Sequence, residues 1–155
     1  MSAPRMNRVV SDFAADATGD KTIRLKDLRG QNVVIYFYPK DSTPGCTQEA
    51  QDFRDLMPKF KKLKTPVIGV SKDSVKRHDN FKAKNELNFM LISDEDGSTC
   101  EAYGTWIQKK LYGREYMGID RSTFLIDGKG VIRNIWRKVK VAGHAEAVLE
   151  AVGEL

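Results

Sequence analysis

The chain has 155 residues, of which 41% are hydrophobic and 30% charged, so it has the length of one domain (residues 1–155) and apolar side chains enough for a core. No apolar run reaches the roughly 18 residues of a membrane helix, and the first twenty residues lack the apolar stretch of a secretory signal, which points to a cytoplasmic protein with no membrane partner. The net charge of +5 invites a basic nucleic-acid-binding module as the alternative from a different class, but acidic residues interrupt the basic ones almost everywhere, and the surface reads as a solvated one with no nucleic-acid partner.

Residues 8–29 carry turn signals around Thr18-Gly19-Asp20 and suggest a small N-terminal hairpin, followed by a turn at Leu25–Leu28. Val33–Tyr38, VVIYFY, is β-branched and aromatic throughout and reads as a central parallel strand buried on both faces. From Thr47 to about Leu63 apolar residues recur every three or four positions, which predicts a helix. Pro58 inside that pattern is expected to kink or divide it. Pro66–Ser71 is a second strand, Val75–Glu86 a second helix with Phe81 in the core, and Met90–Ser93 a short strand. Thr99–Tyr103 suggests one or two helical turns, followed by a crossing segment. Ser122–Asp127 and Val131–Trp136 flank Gly128-Lys129-Gly130 and predict a hairpin. His144–Val152, opened by Gly143, closes the chain as an amphipathic helix. The order β-α-β-α, then β-β-α, predicts an α/β fold of thioredoxin-like type, a central mixed sheet flanked by helices with an N-terminal hairpin extension.

The two cysteines, Cys46 and Cys100, are too few for a disulfide scaffold. A zinc site would need both to meet His78 and His144, which are far apart in sequence and read as surface residues, so no metal is expected. Cys46 follows a buried strand and a Pro44-Gly45 turn at a helix start. Unpaired amides and the positive end of the helix dipole favour a thiolate there, and Thr43 adds a hydroxyl donor three residues earlier. The plain alternative for Cys46 is a small residue at a helix start, for Thr43 a helix cap, and for Tyr36, Tyr38 and Trp106 core or pocket wall.

Pro39-x-x-x-Thr43-x-x-Cys46, within YFYPKDSTPGCTQEAQDF, closely resembles the peroxidatic motif of peroxiredoxins, in the wording of the bacterioferritin-comigratory or Q-type subfamily. The resemblance continues through IGVSKDS, LISDEDG, the Arg121–Leu125 segment and the closing helix, from about Asp12 onward. It implies a thiol-dependent peroxidase without a cofactor. Cys46 attacks hydrogen peroxide or an organic hydroperoxide and becomes a sulfenic acid. Donors to the peroxide oxygens are Thr43, the amides of Gly45 and Cys46, and Arg121, whose charge also favours the thiolate. Pro39 shields the sulfur, and Glu49, one helical turn on, holds an arginine.

Related chains carry a resolving cysteine where this one has Gln51, or on the next helix where it has Lys82. The resemblance therefore implies re-reduction of Cys46 by an external thiol, namely thioredoxin, glutaredoxin or glutathione, in a monomer. Cys100, read as a half-buried residue of a short helix, is the alternative resolving cysteine.

Overall fold

A computed structural model describes residues 4–155. Nine strands and four α-helices follow one another as β1 (Ala14–Ala17), β2 (Lys21–Arg24), β3 (Val33–Phe37), α1 (Pro44–Lys62), β4 (Val67–Ser71), α2 (Val75–Lys84), β5 (Met90–Ser93), α3 (Ser98–Ala102), β6 (Trp106–Leu111), β7 (Arg114–Ile119), β8 (Ser122–Ile126), β9 (Ile132–Trp136) and α4 (His144–Gly153). Seven strands form one sheet in the order β2-β1-β5-β4-β3-β8-β9. The β3-β4-β5 centre is parallel. Antiparallel β8 and β9 extend one side, and the predicted N-terminal hairpin extends the other through β1 on β5. β3 thus has a parallel neighbour on one side only, and β8 on its other side runs antiparallel.

Alternation along β3 builds two cores. Val33, Ile35 and Phe37 join Val70, Ile92, Cys100, Tyr103 and Phe124 on one face. Val34 and Tyr36, with Tyr38 just beyond the strand, join Ala50, Phe53 and Phe60 of α1, Phe81 of α2 and Val148 and Val152 of α4 on the other. Tyr36 is the hinge pin of α1: its ring stacks on Phe53 at 4.7 Å between centroids and on Tyr38 at 5.5 Å. Gly69 makes room for that ring, because a Cβ there would come within 2.9 Å of Tyr36 Cζ.

Three sequence expectations change. α1 begins at Pro44, three residues earlier than the periodicity suggests, with Thr43 as N-cap; proline is preorganised for a first helical position and the core-facing pattern starts only later. Pro58 neither divides nor ends α1. Its missing N–H leaves the Arg54 carbonyl without an intrahelical partner, and the Asn88 side-chain amide donates to that carbonyl instead (3.3 Å). The crossing segment is a separate two-stranded sheet, β6-β7, paired from Trp106↔Ile119 to Leu111↔Arg114. Its two-residue turn, Tyr112-Gly113, has φ of 51° and 78°, the pair of positive angles that a tight hairpin turn of matching twist needs.

Candidate active site

The turn from β3 into α1 brings Cys46 to the sheet edge where the parallel strands end. Because β8 is antiparallel to β3, with Phe37 opposite Ser122, the start of β8 lies beside that same edge. Arg121 is thereby delivered to the N-terminus of α1, 75 residues from Cys46 in sequence. Its backbone is held by the Val139 amide, which donates to the Arg121 carbonyl (3.0 Å). Its guanidinium donates from Nη2 to Cys46 Sγ (3.4 Å) and from Nη1 to Glu49 Oε1 (2.7 Å). Cys46, Glu49 and Arg121, singled out separately in the sequence, therefore form one connected group.

Gly45 is part of this arrangement by what it lacks. A Cβ there would lie 3.3 Å from Arg121 Nη2, inside the space the guanidinium uses to reach the sulfur. Cys46 sits in the first turn of α1, where amides have no intrahelical acceptor. Among the described backbone bonds, the first amide of α1 to find one is that of Thr47, on the Thr43 carbonyl (2.9 Å). The amides of Gly45 and Cys46 precede it, beside the sulfur and the positive helix end.

Glu49 is 1% exposed. Burial pushes its carboxyl up to about 7, and the neighbouring Arg121 only partly offsets that. For Arg121 burial acts against the charge, but Glu49 and Cys46 outweigh it and raise the guanidinium above its ordinary value. Tyr36 packs beneath, its phenol raised first by burial and then by the charge of Glu49. The Tyr36 hydroxyl and Glu49 Oε2 are buried with no hydrogen-bond partner among the described residues.

Thr43 and Pro39 stand differently from expectation. The Thr43 hydroxyl donates to the Lys40 carbonyl (2.7 Å), tightening the β3-α1 loop rather than turning towards the sulfur. Pro39 is exposed at the head of that loop. Cys46 is nonetheless only 2% exposed, packed in the cluster that holds Tyr36, Tyr38 and Ala50.

The β6-β7 hairpin flanks the site, which the sequence reading missed. Lys109 on β6 is close enough to feel Asp120, Arg121 and Cys46, and burial lowers its ammonium. Lys72 lies 4.0 Å above the Trp106 ring and ties the hairpin to the end of β4. Gly113 in a two-residue turn between strand-length segments was the available signal.

Both histidines are buried, contrary to the surface reading. His144 Nε2 pairs with Thr123 Oγ1 (2.7 Å); burial first, then Arg121, lowers its imidazole to about 4. His78 contacts Asp41 and the Ile92 carbonyl. Asp41, Asp73 and His78 do bring three ligand-type side chains within 4.8 Å of one another, but their polar atoms are committed to hydrogen bonds.

Cys100 is fully buried rather than half-buried, in the core on the opposite face of the sheet from Cys46. Burial, then the Asp94 carboxylate, pushes its thiol far up.

Residues 6–135 match the AhpC/TSA family. The peroxiredoxin Bcp of Xanthomonas campestris is 50% identical over 141 residues, 91% of this chain and 88% of that protein. The chain belongs to the AhpC/TSA family of peroxiredoxins. A structure of the X. campestris bacterioferritin comigratory protein, described for its alkyl peroxide reduction activity, superposes with TM-score 0.88 at 48% identity, covering 92% of this chain and 90% of that one. A mutant of PrxQ from Xylella fastidiosa gives TM-score 0.94 at 39% identity over 99% and 98% of the two chains. The resemblance read from the motif is thus confirmed, with the thioredoxin-like fold. The peroxiredoxin is a thiol peroxidase, with a hydroperoxide as substrate and a thiol as reductant.

Proposed function

We propose that this peroxiredoxin reduces hydrogen peroxide and organic hydroperoxides at Cys46 and is returned to the thiol by an external donor. The observation that carries the reading is the guanidinium of Arg121, 3.4 Å from Cys46 Sγ and anchored by buried Glu49. The Cys46 thiolate attacks the terminal oxygen of R–O–O–H. An S–O bond forms, the O–O bond breaks, and its electron pair leaves on RO⁻, which takes a proton to give ROH. Charge grows on the two oxygens, so donors already aimed at that space lower the barrier without reorganisation. Arg121 and the amides of Gly45 and Cys46 are those donors, Glu49 positions Arg121, and Pro39 and Thr43 shape the loop that leads into α1. Thr43 joins the donors when its hydroxyl turns from the Lys40 carbonyl to the peroxide. The alkyl peroxide reduction described for the X. campestris protein supports organic hydroperoxides among the substrates.

The sulfenic acid is then attacked by a thiol of thioredoxin, glutaredoxin or glutathione, giving a mixed disulfide and water, and a second donor thiol attacks that bond, releasing the Cys46 thiol and leaving the donor as a disulfide. Supporting this route, Cys100 lies across the sheet from Cys46. A disulfide needs Cα atoms within about 7 Å, and a thiol whose ionisation is suppressed by burial is a poor attacking group. The chain works as a single-domain monomer in the cytoplasm, where both cysteines stay reduced.

Mass spectrometry after one equivalent of peroxide tests the route. Cys46 sulfenic acid or an intermolecular mixed disulfide is expected, whereas a Cys46–Cys100 bond would overturn it. Cys46→Ser should abolish peroxide consumption and Cys100→Ala should leave the first oxidation step within twofold. Steady-state assays with each of the three donors identify the reductant, and light scattering the oligomeric state.

A further inference from the structure

The parallel strands β3, β4 and β5 end at the edge that carries Cys46, and a second buried cluster closes that edge. Tyr38 follows β3, Asp41 lies in the β3-α1 loop, Ser71 ends β4, Asp73 leads into α2, and His78 reaches in from α2. The Tyr38 hydroxyl donates to Asp41 Oδ1 (2.6 Å). His78 Nδ1 faces Asp41 Oδ2 (2.6 Å) and Nε2 faces the Ile92 carbonyl (2.9 Å). The Asp41 amide donates to Asp73 Oδ2 (2.8 Å), which also accepts from Ser71 Oγ (2.7 Å). Arg77 pairs with the other Asp73 oxygen at 3.4 Å. Tyr38, Asp41 and His78 are each at most 3% exposed.

Hydrogen-bond chemistry fixes most of the protons. A carbonyl oxygen only accepts, so Nε2 carries a hydrogen. The short Nδ1···Oδ2 contact holds one further proton between imidazole and carboxylate. The pair is therefore satisfied only as a unit, and removing either partner strands a buried polar group. His78, through Asp41 and at 3.4 Å through the Tyr38 hydroxyl, makes the only side-chain bonds among the described ones between α2 and the β3-α1 loop.

We propose that His78 is a positioning residue for peroxide reduction: through Asp41 it makes the order of the Pro39–Thr43 loop conditional on the docking of α2. The proposal rests on the reading of Cys46 as the peroxidatic residue. The loop holds Ser42 at φ 64°, a left-handed angle costly for a serine, so the conformation needs an external anchor. Asp41 is the residue immediately before the strained one and is bonded through both side chain and backbone. Once the anchor is lost, Thr43 and the first turn of α1 lose their fixed relation to Arg121. Attack on a small electrophile needs only an accessible thiolate, while peroxide reduction also needs the aligned donors.

The ratio of two Cys46 rate constants, with hydrogen peroxide and with iodoacetamide, separates these roles. Both are measured on the full chain carrying Cys100→Ala, so that Cys46 is the one thiol. His78→Phe should lower the ratio at least tenfold, and His78→Gln, which keeps one donor, at least fivefold. Asp41→Asn preserves the geometry with a neutral imidazole: Asn Nδ2 donates to Nδ1 while Oδ1 still accepts from Tyr38. It should keep the ratio within threefold, and hydrogen exchange at residues 40–43 should quicken in the His78 variants alone. A ratio within twofold of the parent in His78→Gln, or an Asp41→Asn chain as impaired as the His78 variants, overturns the proposal. His78→Gln decides alone where His78→Phe does not fold. Failure of the Cys46 reading is a different result: peroxide turnover persisting in Cys46→Ser.

Discussion

Glu49→Gln isolates one buried charge and gives a stability change whose sign depends on pH. The Glu49 carboxyl is raised by burial from 4.5 to about 7, despite the opposing pull of Arg121. Between those values the folded chain holds a proton that the unfolded chain has released. The stability contributed by neutral Glu49 is therefore complete below about pH 4.5 and is lost as pH rises through about 7. The difference of about 2.5 units corresponds to about 3 kcal/mol. Glutamine keeps the size of the neutral acid and an oxygen for Arg121 Nη1, but it does not titrate. The Glu49→Gln chain should therefore gain on the parent by about 3 kcal/mol between pH 4.5 and pH 8, about 2 kcal/mol of it between pH 5 and 7. With a urea m-value of about 2 kcal/mol/M for a domain of this size, the midpoint difference moves by about 1.5 M. His144 acts in the opposite direction. Its imidazole is lowered to about 4, so its contribution is present above about 6.5 and lost as pH falls through 4, but it is common to both chains and cancels in the difference. A difference that does not change between pH 5 and 8 refutes the reasoning. A difference of reversed sign would mean that the ion pair with Arg121 outweighs burial.

Gly45→Ala should separate stability from activity. The first turn of α1 gains about 0.5 to 1 kcal/mol, while the new Cβ meets Arg121 Nη2 at 3.3 Å and displaces it, lowering the peroxide rate about tenfold; a rate within twofold of the parent refutes the tight fit. Arg121→Lys keeps a cation but loses the fork that spans Glu49 and Cys46, so stopped-flow peroxide reduction should slow about a hundredfold, and retention of half the rate would show that charge alone suffices. Pro58→Ala restores an N–H to the Arg54 carbonyl and should stabilise the chain by about 2 kcal/mol in urea, with peroxide kinetics unchanged; a less stable variant would mean that the Asn88 bond fully replaces the helical one.

What the sequence makes legible follows from where the information is local. The run at Val33–Tyr38 names its strand because burial on both faces admits little else, and Ser122–Asp127 is named by the glycine-containing turn that follows it. Cys46, Thr43 and Gly45 are likewise found from one short segment. Arg121 comes from the resemblance at Arg121–Leu125, but its bond to Glu49 is set by the antiparallel register of β8 on β3, which no local pattern encodes. His78 and His144 are misread for the same reason: His78 lies among polar neighbours and His144 is the first residue of its helix, and only packing shows their imidazoles turned inwards. The start of α1 is missed because hydrophobic periodicity marks the face a helix buries, whereas its first turn here faces the site.

Gln51 is where these levels meet. The resemblance places a resolving cysteine at its position, where this chain has a side chain that cannot form a disulfide. The structure adds what the side chain does instead. Gln51 donates to Asn85 Oδ1 (3.1 Å) at the end of α2, and Arg54, one turn on, donates to the Asn85 carbonyl (2.8 Å). Asn85 itself donates to the Phe81 carbonyl (3.1 Å). α2 is thus tied to α1 at its C-terminal end through Gln51 and Arg54, and to the β3-α1 loop through His78. An internal resolving thiol on α1 or α2 would have to break such ties to reach Cys46, whereas an external thiol leaves them in place. The polar contacts of Gln51 and Arg54 are therefore in keeping with the proposed route, in which the helices stay docked while the reductant comes from outside.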